Sequence, residues 1–146
     1  MSDIKQIAVV GCGAWGANLV RNFHALGVLG WLCDANAAKL QTLQEKYAGL
    51  AVTTDYTEIL ANPAVAGVVL ATNAEFHAPM ALAALRAGKD VFVEKPLALR
   101  YQDGAEMVRV ANVRQDAQRV KIPHQVFPPM PATNYRYFCH NLYQWQ

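Results

Sequence analysis

An α/β domain built on a doubly wound, mostly parallel sheet is what this chain of 146 residues predicts. Three observations carry that expectation. Apolar, strand-like runs alternate with amphipathic helical stretches as far as about residue 112. The first run, Ile7 to Val10, opens directly into glycines spaced G-x-G-x-x-G at Gly11, Gly13 and Gly16. A nearly continuous apolar run, Val65 to Ala71, has the character of a parallel strand buried on both faces.

Taken in order, a first strand is expected over Lys5 to Val10. The helix after the glycines sets Trp15, Leu19, Phe23 and Leu26 on one face at spacings of three and four. Asn18, Arg21 and Asn22 fall opposite, and Gly27 stops the helix. A short strand, Trp31 to Cys33, ends at Asp34, and a helix over Ala37 to Tyr47 turns Leu40, Leu43 and Tyr47 inward. Val52 and Thr53 read as a brief strand, and Asp55-Tyr56-Thr57-Glu58 has the form of a capping box. After the Val65 to Ala71 strand come a helix from Phe76 to Ala87 closed by Gly88, a strand from Val91 to Val93, and a helix from Tyr101 to Asn112.

In open parallel sheets ligands lie outside the carboxyl ends of the strands, which singles out Gly11, Asp34, Thr72 and Glu94. Gly11 permits a tight turn off the strand, Gly13 lets the main chain approach a pyrophosphate, and Gly16 lets the helix lie close to the sheet. Backbone N–H groups at the helix start, from Ala14 and Trp15 onward, then hold the diphosphate, helped by the helix dipole. Asp34, 18 positions beyond Gly16, stands where a carboxylate accepts the adenosine ribose hydroxyls. It would repel a 2′-phosphate, and no Arg or Lys follows before Lys39, so NAD is expected over NADP. A helix cap is the plainer role for Asp34 and is compatible with the first.

Three segments together resemble the amino-terminal domain of the glucose–fructose oxidoreductase / inositol dehydrogenase (Gfo/Idh/MocA) family: G-C-G-A-W-G at 11–16, A-T-N-A-E-F-H at 71–77 and E-K-P at 94–96. The likeness runs over about residues 4 to 112, and the stretch 15–23 looks most like the branch that oxidises nucleotide-linked sugars. The resemblance implies a Rossmann-type domain and hydride transfer between a nicotinamide cofactor and a sugar or nucleotide-sugar hydroxyl. It implies that Lys95 is catalytic, beside the nicotinamide and orienting the substrate, while Glu94 anchors the lysine or contacts the cofactor ribose. A surface ion pair is the plainer reading of those two residues. Pro96 is a candidate for a cis bond. Thr72 and Asn73 belong to the loop over the cofactor, with Asn73 where the family usually has Pro. His77 either contacts the cofactor or starts a helix, and Trp15 sits against the nicotinamide or ribose or packs in the core.

Composition bounds the rest. With 53% hydrophobic and 16% charged residues the chain is globular, and a net charge of +2 argues for neither nucleic acid nor a membrane surface. No apolar run reaches the roughly 18 residues of a spanning helix, and Met1 to Ile4 carries no export signal, so a cytoplasmic protein is expected. Three spaced cysteines, Cys12, Cys33 and Cys139, suit a reducing compartment; Cys12 reads as a small residue tolerated in the loop rather than a reactive thiol. Cys139-His140 is too little for a metal site, and no metal is expected.

The expected boundaries are a dinucleotide-binding domain over 1–122 and an irregular tail over 123–146. The tail holds four of the seven prolines and six of the fourteen aromatics, with no acidic residue after Asp116. Lys121 to His124 resembles a degraded sixth strand, and nothing matches the family's second, substrate-binding domain. The expectation is a truncated chain, weak or inactive in turnover, or else a non-catalytic dinucleotide-binding module or the remnant of a frameshifted gene. A homo-oligomer, or a partner chain engaged through the tail, is the expected association.

Overall fold

Strand and helix alternate without interruption in the computed structural model, which describes residues 6–119. Lys121 to His124, the prolines from Pro123 onward, Cys139-His140 and the boundary at residue 122 lie outside the described residues. The elements are β1 (Gln6–Val10), α1 (Ala14–Ala25), β2 (Leu29–Cys33), α2 (Ala37–Lys46), β3 (Ala51–Thr53), α3 (Tyr56–Ala61), β4 (Val65–Leu70), α4 (Ala74–Arg86), β5 (Asp90–Val93) and α5 (Tyr101–Arg119).

Among the described residues all strand pairings are parallel, in the order β3-β2-β1-β4-β5. The order reverses at β1, where the chain crosses from the β3 side to the β4 side, and a crevice opens there at the strand ends. Alternation along the strands sends side chains to opposite faces. Val9, Leu32 and Val69 meet Val20 and Leu40 on one face. Ala8, Val10, Val68 and Leu70 meet Ile59, Ala78, Ala81, Ala84 and Met107 on the other. Two cores sharing one sheet make it doubly wound, as the sequence predicts.

Several local expectations are adjusted. Leu26 is 70% exposed and Trp15 58% exposed, so the inward stripe of α1 is carried by Leu19, Val20 and Phe23 alone. Trp15 lies in the first turn of α1, where it lines the cleft rather than joining either core. The capping box at Asp55 forms only by half. Its carboxylate accepts from the Thr57 N–H at 2.8 Å, whereas its own N–H donates to Thr53 Oγ1 at 3.0 Å rather than to Glu58. Helix α5 runs past Asn112 to Arg119 because Arg114, Gln115, Ala117 and Gln118 are helix formers with nothing to stop them. Among the described residues no helix is long and apolar enough to cross a membrane.

Candidate functional site

The carboxyl ends of the central strands stop level with one another. Val10 pairs with both Cys33 and Leu70, and Leu70 with Val93. One further rung ties the turns together: Gly11 N donates to Cys33 O (2.8 Å), Ala71 N to Val10 O (2.8 Å) and Glu94 N to Leu70 O (2.9 Å). The four positions singled out by strand-end reasoning therefore share one rim.

The three glycines of the first turn differ in their constraints. Gly11 has φ +86°, and a Cβ there would lie 2.7 Å from the Ala71 backbone. A Cβ on Gly16 would fall 1.9 Å from Gly11 O, so only glycine lets α1 start this close to the turn. Around Gly13 a Cβ would meet nothing within 4 Å, which leaves the space above its backbone open. Gly13 is the N-cap of α1 and supplies no side-chain cap; the first helical bond runs from Ala17 N to Gly13 O. Among the described residues the N–H groups of Ala14, Trp15 and Gly16 have no acceptor. Uncapped N–H groups at a helix start, beneath open space, fit the diphosphate of a dinucleotide.

Asp34 is placed next to this turn by the end of β2. Its Oδ2 accepts the Cys12 N–H at 2.7 Å, and its Oδ1 accepts the Asn36 N–H at 2.9 Å. Lys39, on α2, reaches Oδ2 at 3.3 Å. Partial burial pushes the Asp34 carboxyl up, but the Asn36 and Cys12 N–H groups and the Lys39 ammonium outweigh it and hold the group below the ordinary carboxylate range. The cap of α2 is Asn36 rather than Asp34, its side chain accepting from Lys39 N. Asp34 is thus an ionised carboxylate at the rim, fitted to accept ribose hydroxyls.

Trp15, Ala71, Thr72, Glu94 and Lys95 line a cleft on the other side of the turn. At 58% exposed, Trp15 is not core packing, and it belongs to the lining of this cleft. Glu94 Oε2 accepts from the Lys95 backbone N–H at 3.4 Å, not from its ammonium, so the plainer alternative, a surface ion pair between them, is absent among the described residues. The Lys95–Pro96 peptide is cis. Asn73, directly after the cleft residue Thr72, is the exposed N-cap of α4 and makes no side-chain cap bond. His77 is 1% exposed and does not line the cleft; its Nδ1 lies 2.7 Å from Pro96 O and its Nε2 3.0 Å from Thr72 O.

Cys12 is buried, with its Sγ 3.9 Å from Cys33 O. Burial first, and then the neighbouring Asp34 charge, push its thiol up to about 12, which leaves it unreactive. The Cys12 contribution to the site is its backbone N–H. Sequence reasoning did not foresee that link, nor the Lys39 contact with Asp34, because both depend on how close the β1 and β2 turns come.

A family model described as an oxidoreductase family with an NAD-binding Rossmann fold matches residues 5–121. Inositol 2-dehydrogenase of Corynebacterium glutamicum (strain R) is 28% identical over 127 residues, covering 85% of this chain and 36% of that protein. A glycosyl hydrolase family 109 protein of Shewanella sp. (strain W3-18-1) is 31% identical over 124 residues, covering 77% of this chain and 27% of that protein. Among solved structures, the WlbA dehydrogenase of Bordetella pertussis in complex with NADH and UDP-GlcNAcA superposes with a TM-score of 0.69 at 29% identity, over 75% of this chain and 34% of that one. The chain therefore spans about a third of the length of these relatives. With the glycine turn, the strand-end carboxylate and the E-K-P loop at one rim, and this match across most of its length, the chain belongs to the Gfo/Idh/MocA oxidoreductase family and carries that family's NAD-binding Rossmann domain.

Proposed function

We propose that the chain binds NAD across its strand-end rim for hydride transfer between the nicotinamide and a hydroxyl-bearing carbon of a sugar or nucleotide sugar. The observation that carries the cofactor half is the uncapped start of α1 beneath open space at Gly13, with ionised Asp34 beside it. Gly11, Gly13, Ala14, Trp15 and Gly16 hold the diphosphate, and Asp34 accepts the adenosine ribose hydroxyls. Thr72 and Asn73 border the nicotinamide end, Trp15 presents its exposed indole to it, and Glu94 faces the ribose there. When bound, the nicotinamide supplies the hydride acceptor or donor.

Lys95 is the catalytic candidate. Among the described residues its ammonium has no ion pair, and it stands in the cleft with Trp15 and Thr72. There it can donate to a substrate oxygen, hold the reacting carbon in line, and supply a proton to that oxygen in the reducing direction. The substrate class comes from relatives: one is an inositol 2-dehydrogenase, and another was solved with NADH and UDP-GlcNAcA.

The test is thermal unfolding of the chain with and without NAD, followed by turnover on a panel of sugars and nucleotide sugars. Saturating NAD at 100 times its Kd raises stability by about 2.7 kcal/mol. A well-folded chain whose melting temperature ignores both NAD and NADP overturns the cofactor half. Binding without turnover across the panel supports a non-catalytic dinucleotide-binding module instead. Where turnover is seen, Lys95→Met should abolish most of it while sparing NAD affinity.

A further inference from the structure

We propose that His77 is a positioning residue that fixes the spacing of the two loops flanking the cleft, and so sets where Lys95 stands relative to a bound dinucleotide. The second clause rests on the cofactor reading above. The imidazole lies in the first turns of α4, 1% exposed, and bridges two carbonyl oxygens from different loops. Nδ1 is 2.7 Å from Pro96 O, directly after Lys95, and Nε2 is 3.0 Å from Thr72 O, a residue of the cleft wall. The sheet cannot set this spacing. The last backbone rung between these segments is Glu94 N to Leu70 O, and among the described residues no backbone hydrogen bond joins the loop after β4 to the loop after β5 beyond it. His77 continues the cross-link past the point where strand pairing ends.

Carbonyl oxygens only accept, so each contact is a hydrogen bond when the facing ring nitrogen carries its proton. Only the doubly protonated ring donates to both oxygens at once; a neutral ring donates to one loop and meets the other carbonyl with a lone pair. A buried imidazole needs partners for its ring nitrogens; here both come from main chain, and they belong to two different loops 24 residues apart, at Thr72 and Pro96.

Half-staple variants test this. His77→Asn places an amide nitrogen near the Nδ1 position, His77→Gln places one near Nε2, and His77→Leu supplies neither. The readouts are ¹⁵N order parameters at Thr72, Asn73, Lys95 and Leu97, NADH affinity, and melting temperature. His77→Asn should keep Lys95 and Leu97 ordered and loosen Thr72 and Asn73, with His77→Gln giving the reverse. His77→Leu should loosen both loops and weaken NADH about fivefold to tenfold, the net worth of one hydrogen bond. Lower melting temperatures with unchanged order parameters in both loops and unchanged NADH affinity would overturn the proposal and leave His77 as core packing. If the Leu variant does not fold, the two amide variants still decide the matter. A native chain without NADH affinity refutes the cofactor reading, while the order parameters judge the staple separately.

Discussion

Lys39 Nζ lies 3.3 Å from Asp34 Oδ2, the same oxygen that accepts the Cys12 N–H at 2.7 Å. Sequence spacing presents Asp34 as a bare carboxylate that turns away a 2′-phosphate. In the folded chain a cation partly offsets that charge at the point assigned above to the adenosine ribose. Lys39→Ala should therefore widen the preference for NAD over NADP, by about fivefold, as an exposed charge contact of roughly 1 kcal/mol allows. Calorimetric titration of both coenzymes measures the ratio. An unchanged ratio means Lys39 does not reach the ribose site.

The same carboxylate makes stability depend on pH with a definite sign. Asp34 is held below its ordinary value when folded, so the unfolded chain binds the proton more readily. The stabilisation is fully present above the unfolded value of about 3.9 and is lost as pH falls through the lower folded value. In urea unfolding, Asp34→Asn should be less stable than the native chain at about pH 6, and the gap should close below about pH 4. Asp55 and Glu106 are also lowered, but they are present in both proteins and cancel in the difference. A gap that does not change with pH rules out this linkage.

Much of the rim is legible in the sequence because it depends on local rules. Glycine spacing fixes the first turn, apolar alternation fixes the strands, and the residues that end parallel strands must meet at one edge. Trp15 shows where periodicity fails: its spacing from Leu19 matches an inward stripe, but in the first turn of α1 it is Gly16 that is buried against the glycine turn, while Trp15 is exposed and lines the cleft. His77 shows a different failure. Its partners, Thr72 O and Pro96 O, are backbone atoms brought together by the β4–β5 pairing, and no side-chain pattern records them. Lys89 is a third case, a charged residue 6% exposed whose ammonium donates to Asn62 O and Val65 O. Its sequence neighbours give no hint of that burial.

Asn73 occupies a position where the family pattern expects proline, which raises the rigidity of the loop after β4 as a question. Its backbone answers: φ −64° and ψ 145° are already those of proline. Among the described residues its N–H makes no hydrogen bond that a proline ring would remove. Asn73→Pro should stabilise the chain by about 0.4–1 kcal/mol by restricting the unfolded state. Chemical denaturation measures it; a loss of stability would mean that the side-chain amide or the conformation of Thr72 matters more than the backbone angle.

The turn glycines separate folding from binding. Gly16→Ala drives a methyl to 1.9 Å from Gly11 O, against backbone that cannot swing aside. It should cost about 1–3 kcal/mol of stability, as overpacking does, and weaken NAD because the whole turn must shift. Gly13→Ala meets no atom within 4 Å, and its φ of −65° suits any residue. Its melting temperature should stay close to the native value. Its methyl, however, would stand in the open space assigned to the diphosphate, so NAD affinity should fall at least tenfold through lost N–H contacts and steric exclusion. The informative quantity is the ratio of the two effects. A Gly13→Ala chain that melts normally and binds NAD normally would show that the dinucleotide does not pass over this turn.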